Sequence, residues 1–284
     1  MRPEPSTIVF LCHSPDRVGL VARITNFFAN ENLNILDLAQ HTEDGRFFMR
    51  IVGREESARQ DIRTWQAKFR AVAAELDMEY AFHDPMERPG VVMFCSKTLP
   101  CPMEIISRHL SNDLNISLLA IVSNHLEIAP IAEQLEIPFH HIPTVGDAHA
   151  FESRQLEVLQ LLQPDLVVLA RYMKILSEEF LRQVSAPIIN IHHSFLPSFI
   201  GNDPYEQAYR RGVKLIGATA HFVTRELDEG PIIIQDVTRV NHRFSVADMK
   251  QLGSDIEKQV LASAVRKFVE HKVMQWQGRT IVFH

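Results

Sequence analysis

The chain has 284 residues, 46% of them hydrophobic and 23% charged, the composition of a soluble globular protein with room for one large or two ordinary domains. Its formal charge of -6 argues against a nucleic-acid binder, which needs a basic face, and against adsorption to an anionic membrane. Cys12, Cys95 and Cys101 are an odd set with no C-x-x-C pair, which suits a reducing compartment rather than a disulfide framework or a zinc knuckle.

The N-terminal apolar run, about five residues long, is too short for a signal-peptide core. No stretch approaches the roughly 18–20 apolar residues of a membrane span. A cytoplasmic protein is the expectation. "STIVFLCHSPDR" reads as a β-branched strand entering a Ser-Pro-Asp turn. In "VGLVARITNFFANENL", apolar Val18, Val21, Ile24, Phe27 and Phe28 recur at helical spacing and predict an amphipathic helix. "NILDLAQHT" and "RFFMRIVG", joined by "EDG", read as a hairpin. A helix over "EESARQDIRTWQAKFRAVAAEL" and a closing strand "MEYAF" complete βαββαβ, a ferredoxin-like α+β unit spanning 1–83.

"HDPMERPG" supplies a linker (84–89), and a second domain, 90–284, is expected to follow. There "VVMFCS", "ISLLAIVS", "FHHIP", "DLVVLA" and "PIINIH" are short apolar strands with helical segments such as "FESRQLEVLQLLQ" among them. That alternation predicts an α/β fold with a mostly parallel sheet covered on both faces. "VKLIGATAHFVT" and "GPIIIQDVTRV" form a hairpin across "RELDE", and a helix over about 245–271 ends the chain's regular structure.

Ligands of open α/β sheets bind beyond the carboxyl ends of the strands. "PIINIH" puts Asn190 and His192 at such an end, facing the same side because they are two residues apart, with His193 facing elsewhere. From position alone, a structural histidine bonded to a loop carbonyl and a working pair are both open. Asp228, in the hairpin turn, could equally be a solvated or capping carboxylate. The adjacent His140 and His141 face opposite ways. No H-E-x-x-H or other recognised ligand spacing predicts a metal. Neither G-x-G-x-x-G nor a Walker motif is present, and the turn "SKTLPCP" offers Lys97 and two prolines but no glycine, so a phosphate-bearing substrate is disfavoured there.

"NIHHSFLPSFIG" together with "PYEQAYRRGVKLIGATAHFVTRELDEGPIIIQDV" resembles the folate-dependent formyltransferase family, a Rossmann-like fold with an N-x-H strand end and an Asp in a later D-x-G turn. The "HHS" variant resembles the deformylase branch, and "SPDRVGLVARITNFFANENLNILDLAQHTEDGRFFMRI" is similar to an ACT domain. The resemblance covers nearly the whole chain. It implies hydrolysis of 10-formyltetrahydrofolate to formate and tetrahydrofolate, feeding purine synthesis and balancing one-carbon folate pools. Formyl transfer to an amine, or folate binding without turnover, are the alternatives.

The resemblance further implies that Asn190, His192 and Asp228 are catalytic and that Met173, Lys174, Leu176, Glu226 and Leu227 bind the folate, with His193 and Ser194 behind them. It implies no metal and no cofactor, a small amino-acid effector near Asp16 and Gly19, and a homo-oligomer, dimer or tetramer. Asn190 can donate to a developing oxyanion, His192 can donate to that oxygen or shuttle protons, and Asp228 can hold water and raise the His192 pKa. Pro100 and Pro102 stand where the family has His and Leu, and Glu206 where it often has His, on the acceptor side of the site.

Overall fold

The computed structural model describes residues 7–55, 60–146, 148–198 and 203–284. Two compact units emerge: the first runs through Glu87 and takes in Glu270–Met274 and Ile281–His284, and the second holds Arg88–Val269 and Gln275–Thr280. The expected second domain, 90–284, was continuous, whereas the chain's last residues return to the first unit.

In the first unit, β1 (Thr7–Pro15), α1 (Leu20–Asn30), β2 (Leu33–Glu43), β3 (Arg46–Glu55), α2 (Ile62–Leu76) and β4 (Glu79–His83) follow the expected βαββαβ order. The antiparallel sheet is ordered β2-β3-β1-β4. Its helix-facing side is aromatic: Phe10 lies 4.9 Å from Phe69 and 4.8 Å from Phe82, ring centre to ring centre. Such tilted and edge-on pairs add about 0.5–1.5 kcal/mol each beyond area burial.

The α1 stripe differs from expectation. Leu20, Ile24, Phe27 and Phe28 are buried, whereas Val18 is fully exposed and Val21 is exposed. Gly19 (φ 94°) caps the helix, so Val18 precedes the first turn and the phase of the stripe starts at Leu20. Helix α2 begins later than expected because the Asp61 carboxylate accepts from Arg63 N at 2.8 Å, an N-cap; residues 56–59 of the expected helix lie outside the described residues.

The second unit is a seven-stranded sheet of β5 (Gly90–Cys95), β6 (Ser117–Ser123), β7 (Phe139–His141), β8 (Leu166–Ala170), β9 (Ile188–His192), β10 (Leu215–Phe222) and β11 (Ile232–Arg239). The order is β11-β10-β9-β8-β5-β6-β7, parallel from β7 to β9 and antiparallel across β9, β10 and β11. Strands β5 and β8 are buried at every position, as parallel strands covered on both faces must be.

Helices α3 (Pro100–Leu110), α4 (Ala129–Gln134), α5 (Ala148–Leu162), α6 (Glu178–Gln183), α7 (Pro204–Arg211) and α8 (Val246–Val269) connect and cover the sheet. The chain leaves β5 toward β6 on one side and reaches β8 on the other, so the strand order reverses beside β5. A crevice beyond the carboxyl ends of β5 and β8 is the ligand position this topology provides.

The strand pair β12 (Val273–Trp276) and β13 (Arg279–Val282) after α8 was not expected. Its Gln277-Gly278 turn, both residues at positive φ, is the signal that could have revealed it. Arg50 of β3 donates to the carbonyls of His271 (3.0 Å) and Glu270 (3.1 Å), and the His271 ring stacks on His83 at 3.8 Å.

Candidate active site

The end of β9 carries Asn190 and His192 on one face, and β10 runs antiparallel beside it with His221 opposite Asn190 and Thr219 opposite His192. Directly opposed residues of an antiparallel pair share a face. A register shift between Ala220 and His221, where β10 meets β11, turns the strand at that point. The result is a polar patch at the carboxyl end of β9.

The turn after β9 is tied down through Thr219. Its hydroxyl donates to the Ser194 carbonyl (2.9 Å) and accepts from Leu196 N (3.1 Å) and Gln235 Nε2 (2.9 Å). Gln235 Nε2 also donates to the Leu196 carbonyl at 3.0 Å, and the Ser194 hydroxyl donates to the Ser198 carbonyl at 2.8 Å. Ser194 therefore shapes the turn and is spent on backbone.

Asp228 sits in the turn between β10 and β11 at φ 58°. The loop can reach the sheet because residue 230 is glycine: a Cβ there would lie 1.7 Å from the Phe222 carbonyl oxygen. Asp228 Oδ2 is 3.2 Å from His192 Nδ1, and Oδ1 is 3.6 Å from His221 Nε2. Hydrogen bonding to His192 above all holds the Asp228 carboxyl well below the usual carboxylate range.

The ring protons follow from these partners. A carboxylate can only accept, so His192 carries its proton on Nδ1 and presents an unprotonated Nε2 when neutral. That Nε2 is buried and has no hydrogen-bond partner among the described residues. An orphan of this kind costs about 1–3 kcal/mol. His221 Nδ1 donates to the Phe222 carbonyl at 2.9 Å, leaving Nε2 to accept an Asn190 amide N–H at 3.2 Å. The Asn190 amide has a second N–H to donate. The group can thus take a proton at one nitrogen and donate a hydrogen bond from a fixed amide beside it.

The three residues expected to be catalytic, Asn190, His192 and Asp228, are joined through His221, which sequence reading passed over. Its signal was its place in "ATAHFVT", on the strand expected to neighbour the Asn190 strand, but the pairing register was needed to use it. The oxygens of Asp228, which was expected to hold water, face two histidines.

His193 lies 5.1 Å from His192, ring to ring, and 6.2 Å from Tyr205. Burial, reinforced by the charges of Arg171 and His192, holds its pKa at about 4. In the first unit, burial and the neighbouring His83 hold His271 at about 3. Both lie below the 6.5 of a free imidazole, so between those limits the unfolded chain binds more protons than the folded one. Stability is full above pH 6.5 and is lost as pH falls toward 4 and then 3. The melting temperature, followed by scanning fluorimetry, is expected to be flat near pH 7–8 and to drop steadily from about 6.5 to 4. His193→Asn is expected to shallow that slope; an unaltered slope would contradict the burial of a neutral His193.

Of the residues implied to bind folate, Met173 donates its backbone N–H to Ser96 Oγ at 3.1 Å and leaves its side chain exposed. Lys174 is exposed, whereas Leu176 packs against the core around Phe94 and Phe180. Glu226 and Leu227 are exposed in the hairpin loop, and the Glu226 carbonyl accepts from Thr224 Oγ1 at 3.2 Å. An Arg225–Glu178 ion pair of 3.4 Å brings that loop beside the segment following β8. Both loops hold apolar side chains to solvent, Met173 and Ile175 on one and Leu227 on the other. The "SKTLPCP" turn enters α3, with Pro100 and Pro102 at the first and third helical positions and Cys101 and Pro102 buried. Residues 199–202 of the signature stretch lie outside the described residues.

In the first unit, Asp16 and Gly19 line a cleft of ≈ 500 Å³ with Leu20, Gln40, Thr42 and Phe47. Among the described residues no three His, Cys, Asp or Glu side chains are grouped to hold a metal ion, and no helix is long and apolar enough to cross a membrane.

Residues 90–265 match the formyl transferase family and residues 7–69 the ACT domain. A formyltetrahydrofolate deformylase of Bacillus subtilis (strain 168) is 43% identical, over 96% of this chain and 93% of that protein. The crystal structure of a formyltetrahydrofolate deformylase from Pseudomonas syringae pv. tomato superposes with a TM-score of 0.95 at 39% identity, covering 99% of this chain and 96% of that one. A glycinamide ribonucleotide transformylase 1 from Symbiobacterium toebii gives a TM-score of 0.66 at 26% identity, over 72% of this chain and 97% of its own.

Proposed function

The chain belongs to the formyltetrahydrofolate deformylase family, and on that premise we propose that it hydrolyses 10-formyltetrahydrofolate to formate and tetrahydrofolate. The observation that carries the mechanism is the His192 ring, clamped at Nδ1 by Asp228 with Nε2 unpartnered among the described residues. Nε2 takes a proton from water as the water oxygen attacks the formyl carbon. The Asn190 amide, held at one N–H by His221, donates the other to the carbonyl oxygen as negative charge develops there. Collapse of the tetrahedral intermediate breaks the bond to N10, and the proton on Nε2 passes to that nitrogen. Asp228 stabilises the transient imidazolium without itself taking the proton. These side chains perform each step without a metal or a cofactor.

The pterin is proposed to enter between the loop after β8 (Met173, Lys174, Leu176) and the Glu226–Leu227 turn, whose exposed apolar side chains suit a flat heterocycle. Formate release from 10-formyltetrahydrofolate with no added acceptor tests the reading. Strict dependence on an amine would make the protein a transferase, and tight folate binding without formate a regulatory binder. Formate supply to purine synthesis and control of the folate pool are the roles proposed for the activity.

The first unit is proposed to bind a small amino acid in the cleft lined by Asp16 and Gly19, where the start of α1 offers free N–H groups. Melting temperature with each amino acid in turn is the check. A ligand at about 100 times its Kd adds about 2.7 kcal/mol, and Asp16→Ala is expected to remove the response. Self-association as a dimer or tetramer is proposed through the edge strand β2, which exposes Leu36 and Leu38. Three free, buried cysteines accord with the cytoplasmic location we propose.

A further inference from the structure

Beside the histidine pair lies a second group of ionisable side chains, unused in the mechanism above. Arg171 follows β8 at φ 61°, a left-handed conformation uncommon and costly for a residue with a side chain. Its guanidinium is 3.4 Å from the Glu257 carboxylate, which is almost fully buried on α8. The Tyr205 hydroxyl donates to the other Glu257 oxygen at 2.6 Å. Tyr205 lies this close to α8 only because residue 253 is glycine, where a Cβ would be 1.9 Å from the Tyr205 oxygen. Burial pushes the Glu257 carboxyl up, opposed chiefly by Arg171. Buried ion pairs of this kind seldom add stability over a well-packed apolar group, so stability alone does not account for it.

Two observations locate this group relative to the reaction. The Nδ1 edge of His192 faces Asp228, so Nε2 points away from the hairpin loop, and the His193 ring, 5.1 Å from that of His192, lies 6.2 Å from Tyr205, which ties the Glu257 group to the histidine pair. The second is α3, which opens past the end of β5 at the reversal of strand order. With proline at its first and third positions, it lacks two of the N–H groups that a phosphate-bearing acceptor would use. A fold shared with a transformylase has to keep competing acceptors from the formyl carbon if water is to be its nucleophile.

We propose that Arg171, Glu257 and Tyr205 form an acceptor-excluding plug, filling the nucleophile's side of His192 so that water, and not an amine, reaches the formyl carbon. The inference rests on the deformylase reading. With the plug removed, an amine nitrogen adds to the formyl carbon, the bond from that carbon to N10 breaks, and the proton lost by the amine passes through His192 to N10. No further reactant is needed.

Glycinamide and hydroxylamine are the probes, with formate and the formylated amine quantified together in the full-length protein. The wild type is expected to yield formate alone. Arg171→Gly removes the side chain and suits the left-handed backbone, and the double variant Arg171→Gly/Glu257→Gln also removes the stranded carboxylate and carries the test if the single variant fails to fold. Both are expected to raise the ratio of formylated amine to formate about tenfold or more, a partition that mere loss of stability does not change. Tyr205→Phe keeps the bulk and is expected to remain hydrolytic; diversion equal to that of Arg171→Gly would show that filled space is not what excludes the amine, and the proposal falls. Intact hydrolysis with an unaltered ratio in the folded Arg171 variants overturns the plug alone. A wild type that releases no formate without an amine overturns the deformylase reading and the plug with it.

Discussion

Asp228→Asn is expected to lower kcat by about 10^4-fold while the protein folds normally, the scale set when the orienting carboxylate of a histidine base is neutralised elsewhere. The present carboxylate accepts from His192 Nδ1 at 3.2 Å and so keeps the lone pair on Nε2. An asparagine amide turned to donate to Nδ1 would fix the ring in the opposite tautomer, with Nε2 protonated and unable to accept from water. It would also lose the negative charge that steadies the imidazolium. Formate release under saturating substrate, with circular dichroism as the check on folding, measures the effect. Activity within tenfold of the wild type would show that Asp228 does not set the ring's protonation.

His192→Ala is expected to cost about 10^2–10^4-fold in kcat, the range for removing a general acid–base group. KM should change little, because the pterin is proposed to rest on other loops; the loss then belongs to the transition state rather than to ground-state binding. Stability should fall by about 1–3 kcal/mol, since the variant leaves the Asp228 carboxylate without its nearest hydrogen-bond partner. Parallel kinetics and thermal melts separate the two effects. An active His192→Ala variant would overturn the mechanism outright.

Much of the architecture was legible because its signals are local. Continuous apolar runs such as "VVMFC" and "LVVLA" can be nothing but buried strands or helix segments, and their length and β-branching decide for strands. The start of α1 was misread because Val18 and Val21 sit at helical spacing from Ile24, although Gly19 breaks the run; glycine at a helix start resets which residues face the core. The C-terminal strand pair was overlooked since β12 and β13 are four residues each, too short for periodicity to register.

The site divided the same way. Two-residue spacing put Asn190 and His192 on one face of a strand, and the sheet's handedness of use put that strand's carboxyl end at the ligand crevice. The partner they share could not be seen. His221 is 31 residues from Asn190 along the chain and meets it only through the antiparallel register of β9 and β10 and the shift at Ala220. Arg171, Tyr205 and Glu257 come from a loop and two helices, and no local pattern links them.

By itself, then, the sequence determined the two fold types, the strand on which Asn190 and His192 sit, and the turn that holds Asp228, since each depends on spacing within a few residues. Only the tertiary structure decided which nitrogen of His192 is free, that His221 holds the Asn190 amide, and that a buried ion pair stands beside them. Those are matters of distance between segments remote in the chain, and a hydrogen bond that exists at 3.2 Å and not at 5 Å leaves no trace in residue order.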